Sequence, residues 1–130
     1  MESSENRHEC QAQDWLAPLK RALDELETIQ DMVLKDMERG VDRMRLLAHH
    51  RTLERAVHEA YWNAMNDSAS VESVRTLRVL RTSHIPDLWD YISEPVMRHG
   101  HVVREVRLIL NLIANIVMPG HLALPEAYRP

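Results

Sequence analysis

Apolar side chains recur in steps of three and four along the first third of the chain: Leu16, Leu19, Leu23, Leu26, Ile29, Val33, Met37, Val41, Met44 and Leu47. That spacing matches a turn of about 3.6 residues and lays one greasy stripe along a helix. The stripe runs in phase through Gly40. A glycine inside a helix costs about 1 kcal/mol against alanine, which a packed helix tolerates. The chain therefore starts with one long helix or with a helical hairpin broken at Gly40, where Asp42 would cap the second helix.

The same periodicity carries on. A helix to about Met65 is followed by the loop Asn66-Asp67-Ser68-Ala69-Ser70, with Ser68 or Ser70 as the next N-cap. A shorter helix places Val71, Val74, Leu77 and Leu80 inward, and Thr82-Ser83-His84-Ile85-Pro86 is expected to break it. Pro86 suits the first position of the next helix, which carries Leu88, Trp89, Ile92 and Val96 and is kinked or split at Pro95. His99-Gly100 marks a second soft point. The last helix, about 101–117, is the most apolar, with Val102, Val106, Ile109, Ile113, Ile116 and Val117, and is expected at the centre of the bundle. Pro119-Gly120 stops it. The expected fold is all-α: an irregular antiparallel bundle of four to five helices, with a long N-terminal helix or hairpin. Residues 1–12 read as a disordered tail, 13–118 as the helical domain and 119–130 as an extended tail.

Composition narrows the function classes. At 130 residues the chain is one domain by size, and 45% apolar with 28% charged residues is ordinary for a folded protein. Seven Met and no Phe point to an adaptable core of Leu, Ile, Val and Met. A formal charge of -4 argues against a general polyanion binder. Residues 1–70 hold 9 basic and 14 acidic side chains, residues 71–130 hold 7 and 6, so any nucleic-acid contact belongs mainly to the second half. One cysteine, Cys10, excludes a disulfide within the chain and fits a reducing compartment. The acidic, polar start lacks the composition of a secretion signal, and the longest greasy stretch is too short to span a bilayer. A soluble intracellular protein is expected.

Eight histidines raise the question of a metal. His50, Glu54 and His58 are spaced by four, and so are His101 and Glu105. Helical angles weaken the idea: with Leu46 at zero and about 100° per residue, His50 falls near 40°, Glu54 near 80° and His58 near 120°. Only His50 points squarely into the core. On the last helix the inward histidine is His99. No metal or other cofactor is expected, and a bundle site from His50, Glu54 and His99 is the weakest of the readings. No nucleophile elbow or phosphate-cradling glycine loop is present, so an enzyme is not expected.

The remaining candidates are binding residues. Arg75, Arg78 and Arg81 step by three along one short helix and could grip phosphates, or could be an ordinary exposed face. Tyr61 lies inward and Trp62 outward, which makes Trp62 a rim aromatic suited to a partner surface or to a base.

Taken in order, Leu46-Leu47, His50-Arg51 and Tyr61-Trp62 are similar to the signature of a family, the RNA-binding accessory subunit of the eukaryotic ribonucleoprotein RNase MRP. In that family an apolar helix ending in Leu-Leu and His-Arg precedes an aromatic pair. A basic helix, a proline-started aromatic helix and a leucine-rich helix follow. Here Arg75 to Arg81, Ile85-Pro86 with Trp89 and Tyr91, and Leu108 to Ala114 look similar, so the resemblance covers residues 44–117. The stretch Thr52-Leu53-Glu54-Arg55-Ala56-Val57 departs from the family's run of Asn, Lys, Gln and His. The resemblance implies a non-enzymatic subunit of a nuclear, rRNA-processing ribonucleoprotein. His50, Arg51, Tyr61 and Trp62 would then bind RNA or a protein neighbour, and Arg75, Arg78 and Arg81 the phosphates. The alternative from the residues alone is a protein-interaction module that self-associates through a coiled-coil seam over residues 16–47, with no RNA role.

Overall fold

The computed structural model describes residues 15–35, 40–67 and 69–117. The expected tails at 1–12 and 119–130, and Cys10, lie outside these residues. Five α-helices make up the described chain: α1 Leu16–Lys35, α2 Arg43–Asn66, α3 Val71–Val79, α4 Ile85–Ser93 and α5 His99–Val117. A π-helical turn, Leu80–His84, joins α3 directly to α4. Among the described residues there is no strand, and the fold is the expected all-α bundle.

Gly40 decides the first question. Its φ of +85° is a left-handed conformation that α-helix cannot continue through. A Cβ at Gly40 would meet nothing within 4 Å, so the requirement for glycine is conformational and not steric. Asp42 then caps α2 by accepting the Arg45 N–H at 3.2 Å. The chain therefore makes a hairpin, and the long stripe is folded back on itself. Two cross-links fix its direction: Glu25 meets His49 at 2.6 Å, and Arg21 meets Glu59 at 2.6 Å. Earlier residues of α1 thus face later residues of α2, and the pair is antiparallel.

The other side of the bundle follows the same rule. Tyr61 of α2 meets Arg78, His50 meets Ile85, and Arg43 reaches the Pro95 carbonyl. The arm formed by α3, the π-turn and α4 therefore runs antiparallel to α2. His84 and Tyr91 of that arm face Glu105 and His101 of α5, again antiparallel. With α5 also packed on α1, the molecule is a four-cornered bundle of α1, α2, the bent arm and α5. The shared core includes Leu19, Leu26, Leu53, Leu88, Ile109 and Ile113. Each fully buried Leu or Ile contributes about 1.5–3 kcal/mol relative to exposure.

Several expectations are corrected. The segment from Thr82 to Pro86 does not break the helix. The Ile85 N–H reaches back five residues to the Leu80 carbonyl. Proline cannot donate a helix bond, and its ring crowds the carbonyl four residues earlier. The wider π-turn absorbs that conflict, so Pro86 enters without interrupting the arm. His99-Gly100 is not a soft point ahead of the last helix, because the break falls at 94–98 and α5 already starts at His99. The centre of the bundle is not α5 alone, since α2 packs against α1, α3, the π-turn and α4. Val71, expected inward, and Met44 and Val96, counted in the apolar pattern, are 74%, 78% and 79% exposed. Met44 and Val71 sit in the first turns of α2 and α3, and Val96 in the link after α4, where no opposing helix covers them.

Candidate functional site

Helix α2 presents two faces that converge on one edge. Its inner face buries Leu46, His50, Leu53, Val57, Ala60, Tyr61 and Ala64. Its outer flank carries Arg51, Glu54, Arg55, His58 and Trp62, all exposed. The arm runs alongside this flank and brings Arg81, Ile85, Pro86 and Trp89 against it.

His50 is the pivot. It is 1% exposed, and its Nε2–H donates to the Ile85 carbonyl at 2.7 Å. Because a carbonyl only accepts, Nε2 must carry the proton and Nδ1 is the bare nitrogen. Nδ1 is buried with no hydrogen-bond partner among the described residues. Burial pushes the His50 pKa down from 6.5. The Ile85 carbonyl and Glu54 oppose that shift, and Arg51 adds to it, but desolvation is the largest cause. The ring also meets Trp89 edge-on, with centroids 5.1 Å apart. His50 is thus a neutral core histidine that holds α2 to the junction of the π-turn and α4.

Arg51, next to it, turns outward and lies over the Trp89 ring, 5.3 Å from the centroid. Ten and eleven residues further along α2, Tyr61 and Trp62 form a second cluster. Arg81 lies over both rings, 5.0 Å from Tyr61 and 5.9 Å from Trp62. Tyr61 is buried and takes a long hydrogen bond, 3.4 Å, from Arg78 Nε to its hydroxyl. Trp62 is 46% exposed and donates its indole N–H to His58 Nε2 at 3.0 Å. Guanidinium on an aromatic face is attractive by about 0.5–1 kcal/mol at exposed sites, which is enough to bias where each arginine rests.

The structure therefore brings Tyr61, Trp62, Arg78 and Arg81 together, and sets His50 and Arg51 in a neighbouring cluster. Arg75 does not join the aromatic pair. It lines a hollow at the α2–α3 corner with Arg78, Ala64, Met65, Val71 and Val74. Elsewhere, Arg98 pairs with Glu94 and Arg107 meets Gln30 of α1. Sequence reasoning missed Trp89 as a site residue. Its place one residue after the inward Leu88 was the available signal, because a step of about 100° puts it on the flank of α4.

The histidines are engaged within the fold. Five of the six described ones already have partners: His49 with Glu25, His50 with Ile85, His58 with Trp62, His84 with Glu105 and His101 against Tyr91. Glu105 thus pairs with His84 and not with His101. Among the described residues no three His, Cys, Asp or Glu gather as a metal site. Nor is any described helix long and apolar enough to cross a membrane.

Comparison of the chain with known protein families, with characterised proteins and with solved structures found no match.

Proposed function

We propose that this protein is a non-enzymatic helical subunit that docks into a larger assembly, an RNA-processing ribonucleoprotein of the RNase MRP kind in the nucleus. The observation that carries the reading is Arg81 resting over both Tyr61 and Trp62 at an exposed edge. Aromatics and guanidinium planes are what proteins use to stack on RNA bases, and arginines neutralise phosphates. Arg51 over Trp89 repeats the arrangement on the same flank of α2. The order Leu46-Leu47, His50-Arg51, Tyr61-Trp62 adds the likeness to the RNase MRP subunit family. In this reading His50 contributes by holding the arm in place rather than by touching RNA, because it is buried.

The test is affinity for structured RNA at several salt concentrations. Binding should fall steeply as salt rises, and should drop further in Arg75→Glu with Arg78→Glu. No RNA binding at low salt would reject the reading.

A second reading is a protein-interaction module without RNA. Exposed Met65 and Val71 beside the hollow at the α2–α3 corner favour it. Self-association through the 16–47 seam loses its main support, since Leu19, Leu26, Ile29 and Val33 are buried within the chain. Proteins and RNAs that co-purify with the tagged chain separate the two readings.

A further inference from the structure

Two hollows lie end to end between α2 and the arm. One is lined by Arg55, His58, Arg81 and Ile85, the other by Arg51, Pro86, Trp89 and Asp90, and both share Glu54. Each end carries an arginine on an aromatic ring, Arg81 with Trp62 and Arg51 with Trp89. From Arg51 to Trp62 the helix rises about 16 Å, the length of about four or five stacked bases at about 3.4 Å each. Glu54, where the hollows meet, is exposed and has no hydrogen-bond or ion-pair partner among the described residues.

Resting on the RNA reading above, we propose that this groove takes a short unpaired RNA segment, with a base that bears an amino group set against Glu54.

The physical case has three parts. First, stacking needs a free π-face, and bases within a duplex have none to offer a side chain in a groove. Two platforms at the ends of one groove suit a splayed strand better than a helix. Second, a carboxylate in the middle of a phosphate-binding groove repels the backbone, so the backbone must run along the arginines at the rim. The bases then face the floor. Third, a carboxylate only accepts hydrogen bonds. Cytosine offers N4–H₂ to it, and uracil presents an acceptor oxygen at the same place. Glu54 therefore selects against uridine. An acidic peptide would meet Glu54 and Asp90 as like charges and gains nothing from Trp62, so unpaired RNA is the better fit.

The experiment is fluorescence anisotropy of the full chain with labelled oligo(C), oligo(U) and a mixed-sequence hairpin duplex of equal length at low salt. Poly-glutamate serves as competitor. Oligo(C) should bind roughly tenfold more tightly than the duplex, and Trp62→Leu should lose roughly tenfold for oligo(C) while barely changing the duplex. Oligo(C) should also exceed oligo(U), and Glu54→Gln should close that gap. Trp62 and Glu54 are exposed, so these variants keep the fold, and thermal melts verify it. Equal binding of duplex and single strand, unaffected by Trp62→Leu, overturns the inference and leaves the RNA reading standing. Equal affinity for oligo(C) and oligo(U) in the wild type also overturns it. Binding of neither RNA form removes the RNA reading itself. Displacement of oligo(C) by poly-glutamate at equal charge assigns the groove to acidic polypeptides instead.

Discussion

His50 donates its Nε2–H to the carbonyl oxygen of Ile85 at 2.7 Å, and this single buried bond joins the middle of α2 to the point where the π-turn becomes α4. The bond fixes the Nε2–H tautomer, while burial disfavours the charged ring. It also sets the position of the arm, and hence of Arg81 and Trp89 beside α2.

Stability should therefore depend on pH through His50. Burial lowers its pKa below 6.5, so the unfolded chain takes up a proton before the folded one does. The contribution is fully present above 6.5 and is lost as pH falls from there towards the lowered folded value. Urea melts of the wild type and His50→Gln at pH 8 and pH 5 check this. The wild type should lose more stability than the variant between the two, and an equal loss would rule out His50 as the source.

His50→Ala should cost about 2–3 kcal/mol at neutral pH, since it opens a cavity and leaves the Ile85 carbonyl without its partner. By contrast, Tyr61→Phe removes only a 3.4 Å bond to Arg78, and should cost under about 0.5 kcal/mol. Thermal or urea denaturation distinguishes the two.

The hairpin turn makes its own prediction. Gly40→Ala places a Cβ on a backbone with φ of +85°, and should destabilise by about 1 kcal/mol without filling or emptying any space. Asp42→Ala removes the cap on the Arg45 N–H, and should cost about 1 kcal/mol. A neutral result for both would mean that the α1–α2 turn is not held as described.

Exposure separates neighbours that the apolar pattern treats alike. Leu46→Ala should cost about 2–5 kcal/mol, because Leu46 is fully buried. Met44→Ser and Val71→Ser should stay within about 0.5 kcal/mol, because both side chains face solvent in the single chain. A large loss at Met44 that varies with protein concentration would instead reveal a second copy covering it.

If the groove binds RNA as proposed, removing Arg81 should affect that binding in two ways. Arg81→Ala should lower the salt dependence of binding by about one phosphate contact, and should leave Trp62 without the guanidinium above it. Arg81→Lys should keep the salt slope and still lose affinity, since an ammonium has no plane to stack. Slopes from titrations at several salt concentrations measure both.

The sequence by itself determined the all-α class, narrowed the start of the helix after the 66–70 loop to Ser68 or Ser70, and set which way the side chains of α2 point, while Asp42 as a cap stayed tied to whether Gly40 breaks the first helix. His50 and Tyr61 are inside and Trp62 is outside, as their helical angles require. These are local properties, set by side-chain spacing along one helix and by caps within one turn. Tertiary structure decided the rest. It chose the hairpin over the long helix, because folding at Gly40 lets the stripe of α1 bury itself against α2 and α5. It carried the chain past Pro86 through a π-turn, because the arm must stay against α2 on both sides of the proline. It left Met44, Val71 and Val96 bare, because burial depends on whether a neighbour reaches the end of a helix, which periodicity does not encode. Above all it set Arg51 on Trp89 and Arg81 on Trp62. Those pairs join residues far apart in the chain, and only the antiparallel packing of α2 and the arm brings them to one edge.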